Sequence, residues 1–333
     1  MPTSRSRRRS SRLQASRPNE NRLADGRRAS DATSQSLSQP TEHRTAACHL
    51  FDQKESDMSL AIQLEGRPVI VTGGARGIGL ELSIALVSAG ANVVATGRSR
   101  QHLAQAEQRA ASITGGKLYG VLADVRVAED CERVVSIATD RFGGVSALVN
   151  NAGVAMRLVS EEFETNPPPF WQISVDAWRE IVDTNVSGVF YMSRAAVPLM
   201  LQQRKGRLIN ISTGPRVMRT TGWFPYGASK AALESMSATW AQELAGSGVT
   251  VNVARPGVKV DTDLFPNGGR GARLSEGFAA PSIMNVLIVW LVSDASDGIH
   301  GRRFNASLWD SSKPTDEAAR LAMLPYPELP HLF

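Results

Sequence analysis

Tyr226 and Lys230, at the two ends of the pentapeptide YGASK, are a phenol and an ammonium four residues apart in a segment with helical patterning. Four residues is one helical turn, so both side chains project from one face and can meet over a common point. Such a pair is suited to proton transfer. A free tyrosine titrates near ~10, too high to release a proton readily at neutral pH, and an adjacent ammonium favours the phenolate. A half-buried tyrosine beside a solvated lysine has the same spacing, so the pair alone does not establish chemistry. A second cluster lies upstream, where VTGGARGIG spaces Gly73, Gly77 and Gly79 as G-x-x-x-G-x-G just before a helical pattern. Glycines there let the chain turn tightly and let phosphates approach a helix N-terminus, whose free N–H groups and dipole favour negative charge.

The elements that must position these residues follow from the hydrophobic pattern. From Arg67 onward, short β-branched runs alternate with longer helical stretches; the runs are PVIVTG, NVVATG, KLYGVLAD, ALVNNAG, RLINIST, VTVNVARPG and GRRFNA. This alternation predicts parallel βαβ units, an α/β fold with one doubly wound sheet of about seven strands and helices on both faces. No internal linker interrupts it, so residues 58–333 are expected to form a single domain. The apolar run Val286–Val292 is far too short to span a bilayer and is expected in the core.

The 333-residue chain carries a net charge of +5, unevenly divided. Residues 1–57 hold 11 Lys and Arg against 7 Asp and Glu, leaving 26 against 25 for the remainder, so the foldable part is nearly neutral and offers no basic face for nucleic acid. Residues 1–57 are rich in Ser and Arg without sustained periodicity and are expected to be a disordered basic extension. Met58 is the expected start of the native chain, with an organelle-targeting segment or a basic arm as the other readings of what precedes it. Two cysteines, Cys48 and Cys131, cannot build a disulfide framework or a Cys-rich metal site; a reducing, cytoplasmic setting without a membrane anchor is expected.

TGGARGIG, NNAG, the Asn of DTNVSGVF, YGASK and RPG occur in the order and spacing of the short-chain dehydrogenase/reductase family, which the chain resembles from about Arg67 to about Asp310. The resemblance implies a Rossmann-type sheet in strand order 3-2-1-4-5-6-7 and nicotinamide-dependent interconversion of an alcohol and a carbonyl. It implies Tyr226 as general acid/base, Lys230 as its partner and a ligand of the nicotinamide ribose, and Asn185 as the holder of a water in a proton relay. A serine usually stands thirteen residues before the tyrosine; here that count reaches Thr213, with Ser212 adjacent. Threonine keeps the hydroxyl but is stiffer at χ1. Strand alternation would point Ser212 to the other face.

For the cofactor, the resemblance implies contacts from Thr72, Gly73, Arg76, Gly77, Ile78 and Gly79 in the first turn. It also implies Asp124 and Val125 after the third strand, Asn151, Ala152 and Gly153 after the fourth, and Pro256 and Gly257 after the sixth, beside Tyr226 and Lys230. NAD-preferring relatives commonly end the second strand with an acid; here VVATGRS offers Gly97 and then Arg98. With Arg76 as a second cation, the expected cofactor is NADP(H). The segment EEFETNPPPFWQ could wall a substrate pocket with aromatic side chains, together with Trp223, Phe224 and a lid formed by DLFPNGGRGARL, with surface packing or subunit contact as the equal alternative. An apolar, medium-sized alcohol or ketone is the expected partner, and a homodimer or homotetramer the expected assembly. The competing expectation is a non-catalytic dinucleotide-binding regulator on the same fold, motivated by Thr213 and the long loop. The intact Asn185, Tyr226 and Lys230 set argues for an enzyme.

Overall fold

The computed structural model describes residues 62–266, 271 and 273–325. The expected extension at residues 1–57, and part of the expected lid, lie outside the described residues. Seven parallel strands form one sheet in the order β3-β2-β1-β4-β5-β6-β7. They are β1 Pro68–Val71, β2 Asn92–Gly97, β3 Leu118–Leu122, β4 Ala147–Asn150, β5 Gly206–Ile211, β6 Val249–Arg255 and β7 Arg302–Asn305. The central strands read as unbroken apolar runs because helices cover both faces. Val69, Ile70 and Val71 are all buried, and their odd and even members enter opposite cores.

The crossover helices are α1 Gly77–Ser88, α2 Arg100–Ala111, α3 Ala128–Phe142, α4 Val175–Val182, α5 Gly188–Gln203, the short α6 Pro215–Arg219, α7 Tyr226–Glu243 and α8 Asn285–Val292; α9 Thr315–Ala322 follows β7. One layer packs α1, α8 and α9 on the sheet, the other α3 and α5. Val286–Val292 is buried throughout, as its composition requires. Among the described residues no helix is long and apolar enough to cross a membrane.

Polar side chains also pin the second layer. Asn150 Nδ2 donates to Ser193 Oγ of α5 at 3.1 Å and to Asn210 Oδ1 of β5 at 2.8 Å, and Asn210 Nδ2 donates to Ser237 Oγ of α7 at 2.8 Å. Because these groups are buried, each bond relieves a desolvation penalty, and the seam fixes two helices against two strands. All strands run in one direction, so their C-terminal ends share one edge. Chain order reverses between β1 and β4, where the crossovers diverge to opposite faces and leave a crevice.

Candidate active site

A cavity of about 830 Å³ follows that edge. Its floor begins at the turn after β1. Gly73 and Gly77 hold φ of +63° and +52°, and a Cβ on Gly79 would lie 2.1 Å from the Gly73 carbonyl oxygen. Side chains are therefore excluded where the turn folds under α1. The N-terminus of α1 has no side-chain cap, no acid in its first turn, and faces the cavity through Arg76, Gly77, Ile78 and Gly79. Thr72 does not reach the cavity. Its buried Oγ1 accepts from the backbone N–H groups of Asn151 and Ala152 at 3.0 and 2.9 Å, while Asn151 Nδ2 donates to the Thr72 carbonyl at 2.9 Å. The side chain braces the first turn against the segment after β4, so Thr72 shapes the floor from behind. Asn151, Ala152 and Gly153 line the cavity beside it, and Pro256 and Gly257 line it after β6.

At the other end, α7 begins at Tyr226, and three consecutive residues at the end of β5 face it. The Tyr226 hydroxyl is hydrogen-bonded to the Thr213 side chain. Lys230 Nζ donates to the Ile211 carbonyl at 2.8 Å and lies 6.0 Å from the centroid of the Tyr226 ring. Ser212 turns the opposite way from Thr213 and donates to Glu234 Oε1 at 2.7 Å, as strand alternation requires. Burial pushes the Tyr226 phenol up to about 12, with the Thr213 bond acting in the other direction. Burial brings the Lys230 ammonium down to about 8, against the pull of Glu234, which raises it.

Asn185 sits in a single π-helical turn, Asp183–Ser187, set between α4 and α5. It is fully buried, and its amide is spent on structure. Oδ1 accepts from Val154 N–H, and Nδ2 donates to the Val154 carbonyl and to Ser229 Oγ, all at 2.9 Å. The amide clamps the segment after β4 to α7.

The rim carries the charged residues. Arg98 and Arg76 do not converge on one point: Arg98 pairs with Glu180 of α4 at 2.8 Å, and Arg76 with Asp263 at 3.4 Å. Glu180 also holds Arg126, which grips Asp124 through its Nε at 2.9 Å. Those bonds hold the Asp124 carboxyl below its ordinary range. Arg126 and Glu180 were not singled out in the sequence, because a charged residue on a helical or turn pattern reads as solvated and their contact spans 54 residues.

The aromatic loop divides in two. Phe163 turns inward and packs edge-on against Trp223 at 5.2 Å, and Phe265 joins them at 6.2 Å from each. Trp223, Leu264 and Phe265 line the cavity near Tyr226. Phe170 and Trp171, expected in the wall, point outward instead at 66% and 72% exposure, and Phe224 stacks on Trp178 at 5.5 Å outside the cavity. The Pro167–Pro169 run precedes this outward stretch and stiffens the local backbone.

The chain matches the short chain dehydrogenase family model over residues 67–270. It is 30% identical over 247 residues to a 3-oxoacyl-[acyl-carrier-protein] reductase of Thermotoga maritima, covering 72% of this chain and 96% of that protein. It is 34% identical over 208 residues to the corresponding reductase of Vibrio cholerae, 61% of this chain and 77% of that one. Among solved structures, a candidate NAD(P)-dependent gluconate 5-dehydrogenase from Beutenbergia cavernae, crystallised with NADP at low occupancy, superposes with a TM-score of 0.62 at 28% identity. The alignment covers 74% of this chain and 96% of that one. The protein belongs to the short-chain dehydrogenase/reductase family and is an oxidoreductase of the alcohol/carbonyl class.

Proposed function

We propose that the protein is an NADP(H)-dependent oxidoreductase that interconverts an apolar, medium-sized alcohol with its ketone or aldehyde. The observation that carries this reading is the meeting of Tyr226, Thr213 and Lys230 at one end of a cavity whose other end is the glycine turn and uncapped N-terminus of α1. A dinucleotide fits the residues present. The α1 N–H groups and glycine floor suit a pyrophosphate, the end of β2 offers Gly97 and Arg98 with no acid to repel a ribose phosphate, and Lys230 reaches the same cavity. The NADP bound at low occupancy in the Beutenbergia structure and the reductase names of the bacterial relatives support the reading. When bound, the nicotinamide supplies or removes a hydride at the carbonyl carbon.

The protein's own residues manage the proton. Thr213 and Tyr226 present two hydroxyls to a substrate oxygen, Thr213 orienting it and Tyr226 giving it a proton in reduction. With the phenol pushed up to about 12, Tyr226 is protonated at neutral pH, and Lys230 near about 8 is still mostly charged. These are the protonation states of the carbonyl-reducing direction. In oxidation the phenol must first lose its proton, which the ammonium beside it favours. Trp223, Leu264 and Phe265 give the reacting end an apolar wall and exclude water.

A panel of ketones and alcohols assayed through the absorbance of the reduced nicotinamide tests the activity. Tyr226→Phe is expected to lower kcat by at least ~10²-fold while dinucleotide affinity changes little. Wild-type turnover in that variant would remove Tyr226 from the chemistry. Tight dinucleotide binding with no turnover of any substrate would make the protein a sensor.

A further inference from the structure

Three residues on one face of α7, Tyr226, Lys230 and Glu234, successive turns apart, hold three consecutive residues at the end of β5. Tyr226 bonds Thr213, Lys230 donates to the Ile211 carbonyl at 2.8 Å, and Glu234 accepts from Ser212 at 2.7 Å. The first two contacts belong to the proposed proton-transfer site. The third reaches the cavity only through Ser212, since Glu234 itself does not line it. Glu234 is 4% exposed, accepts also from Arg303 of β7 at 2.9 Å, and its Oε2 has no hydrogen-bond partner among the described residues. A carboxylate buried with one oxygen unmet is costly, and packing the sheet against α7 does not require it. A Leu or Met at that position would fill the space without the penalty.

We propose that Glu234 is a positioning residue for the Tyr226–Lys230 pair: it anchors Ser212 so that Ile211 and Thr213 meet their partners, and it sets a compensating negative charge one helical turn behind the Lys230 ammonium. The inference rests on the reading of Tyr226 and Lys230 given above. Among the charged groups on elements packed against α7, Arg216 of α6 and Arg255 of β6 line the cavity, and both are cations. The π turn contributes the buried, neutral Asn185 and the exposed Asp183. Burial and Glu234 are the influences resolved on Lys230, in opposite directions, whereas Arg303 reaches it only through the carboxylate. Without Glu234 the ammonium would face burial uncompensated, and the neutral amine that burial favours could not support a phenolate.

The test is a titration of the free protein, labelled with 13C at lysine Cε and read by NMR, with the Lys230 signal assigned by its loss in Lys230→Arg. Glu234→Gln keeps the size and an acceptor for Ser212 but removes the charge. Lys230 is expected to titrate about 1 unit lower than in the wild type. Should that variant not fold with Arg303 unbalanced, Glu234→Gln/Arg303→Met removes both charges, and because loss of the cation acts in the opposite direction a smaller downward shift is expected. An unchanged Lys230 titration in a folded variant overturns the proposal. Because no dinucleotide or substrate enters this measurement, it is independent of the proposed activity. If Lys230 shifts and the alkaline limb of the turnover profile does not follow it, the coupling stands and the catalytic reading of Lys230 falls.

Discussion

At the scale of single residues, the site depends on which of two adjacent hydroxyls faces the tyrosine. Thr213 reaches Tyr226 and Ser212 reaches Glu234, so the two make different predictions. Thr213→Ala is expected to cost at least ~10-fold more in kcat/KM than Ser212→Ala, whereas Ser212→Ala leaves a buried carboxylate short of a donor and is expected to show mainly as a lower Tm. A larger activity loss in the serine variant would exchange the roles. Lys230 and Tyr226 also leave a signature in stability. Lys230 falls from 10.5 to about 8 on folding, so between those values the unfolded chain holds the extra proton and stability rises with pH. Tyr226 rises from 10.0 to about 12, so the native state holds the extra proton in that window and stability falls. Relative to Lys230→Met, the wild type should therefore gain stability on the order of 3 kcal/mol from pH 8 to 10.5 in denaturant titrations. A difference independent of pH would show that the ammonium is not desolvated.

At the scale of elements, the ends of β1, β2, β4, β5 and β6 were legible because each closes an apolar run with glycine, asparagine or proline, and the period changes to helical just beyond. Tyr226 and Lys230 were legible for the same reason, since an i,i+4 pair on a helix needs no tertiary information. Thr72 was misplaced because sequence position cannot say whether a turn residue faces ligand or sheet. The outward path of Phe170 and Trp171 was hidden because three prolines fix local backbone but not the direction of the loop. The junction of β2 and α2 carries the cofactor prediction. Arg98 follows Gly97, which stands where an acid would discriminate against a phosphate, but Glu180 of α4 already partners the arginine. A charge-assisted bond to phosphate is worth ~1.5–3 kcal/mol and an exposed ion pair ~0–1, so the exchange still favours phosphate. The ratio of kcat/KM for NADPH over NADH is expected to lie at roughly 10- to 100-fold in the wild type and to vanish or reverse in Arg98→Asp. Equal use of both cofactors by the wild type would show that Arg98 holds no phosphate.

At the scale of the whole molecule, Phe170, Trp171, Trp178 and Phe224 form a contiguous exposed aromatic patch, with successive ring centroids 5.2 to 6.3 Å apart. It lies around the start of α4 and the residues just before α7. Exposed apolar surface of this kind is costly in a monomer. A dimer or tetramer is therefore expected by light scattering at micromolar concentration, with Trp178→Asp shifting the distribution toward monomer while the far-ultraviolet spectrum is kept. A monomeric wild type would leave the patch without a subunit partner.

The turn beneath α1 also sets limits on heritable variation. A Cβ on Gly79 would stand 2.1 Å from the Gly73 carbonyl oxygen and 2.4 Å from Asn151 Nδ2, and one on Gly257 would stand 1.7 Å from Asn305 Oδ1. Every missense change in a glycine codon adds a Cβ, whatever base is altered. At Gly79 the obstructing atom is backbone, so that codon has no neutral missense neighbour and varies only through synonymous changes, whereas at Gly257 the obstruction is side chains and the φ of +86° adds to it. Positions such as Gly143 and Gly246, where nothing lies within 4 Å of the added atom, are constrained by backbone conformation alone and leave more room for drift.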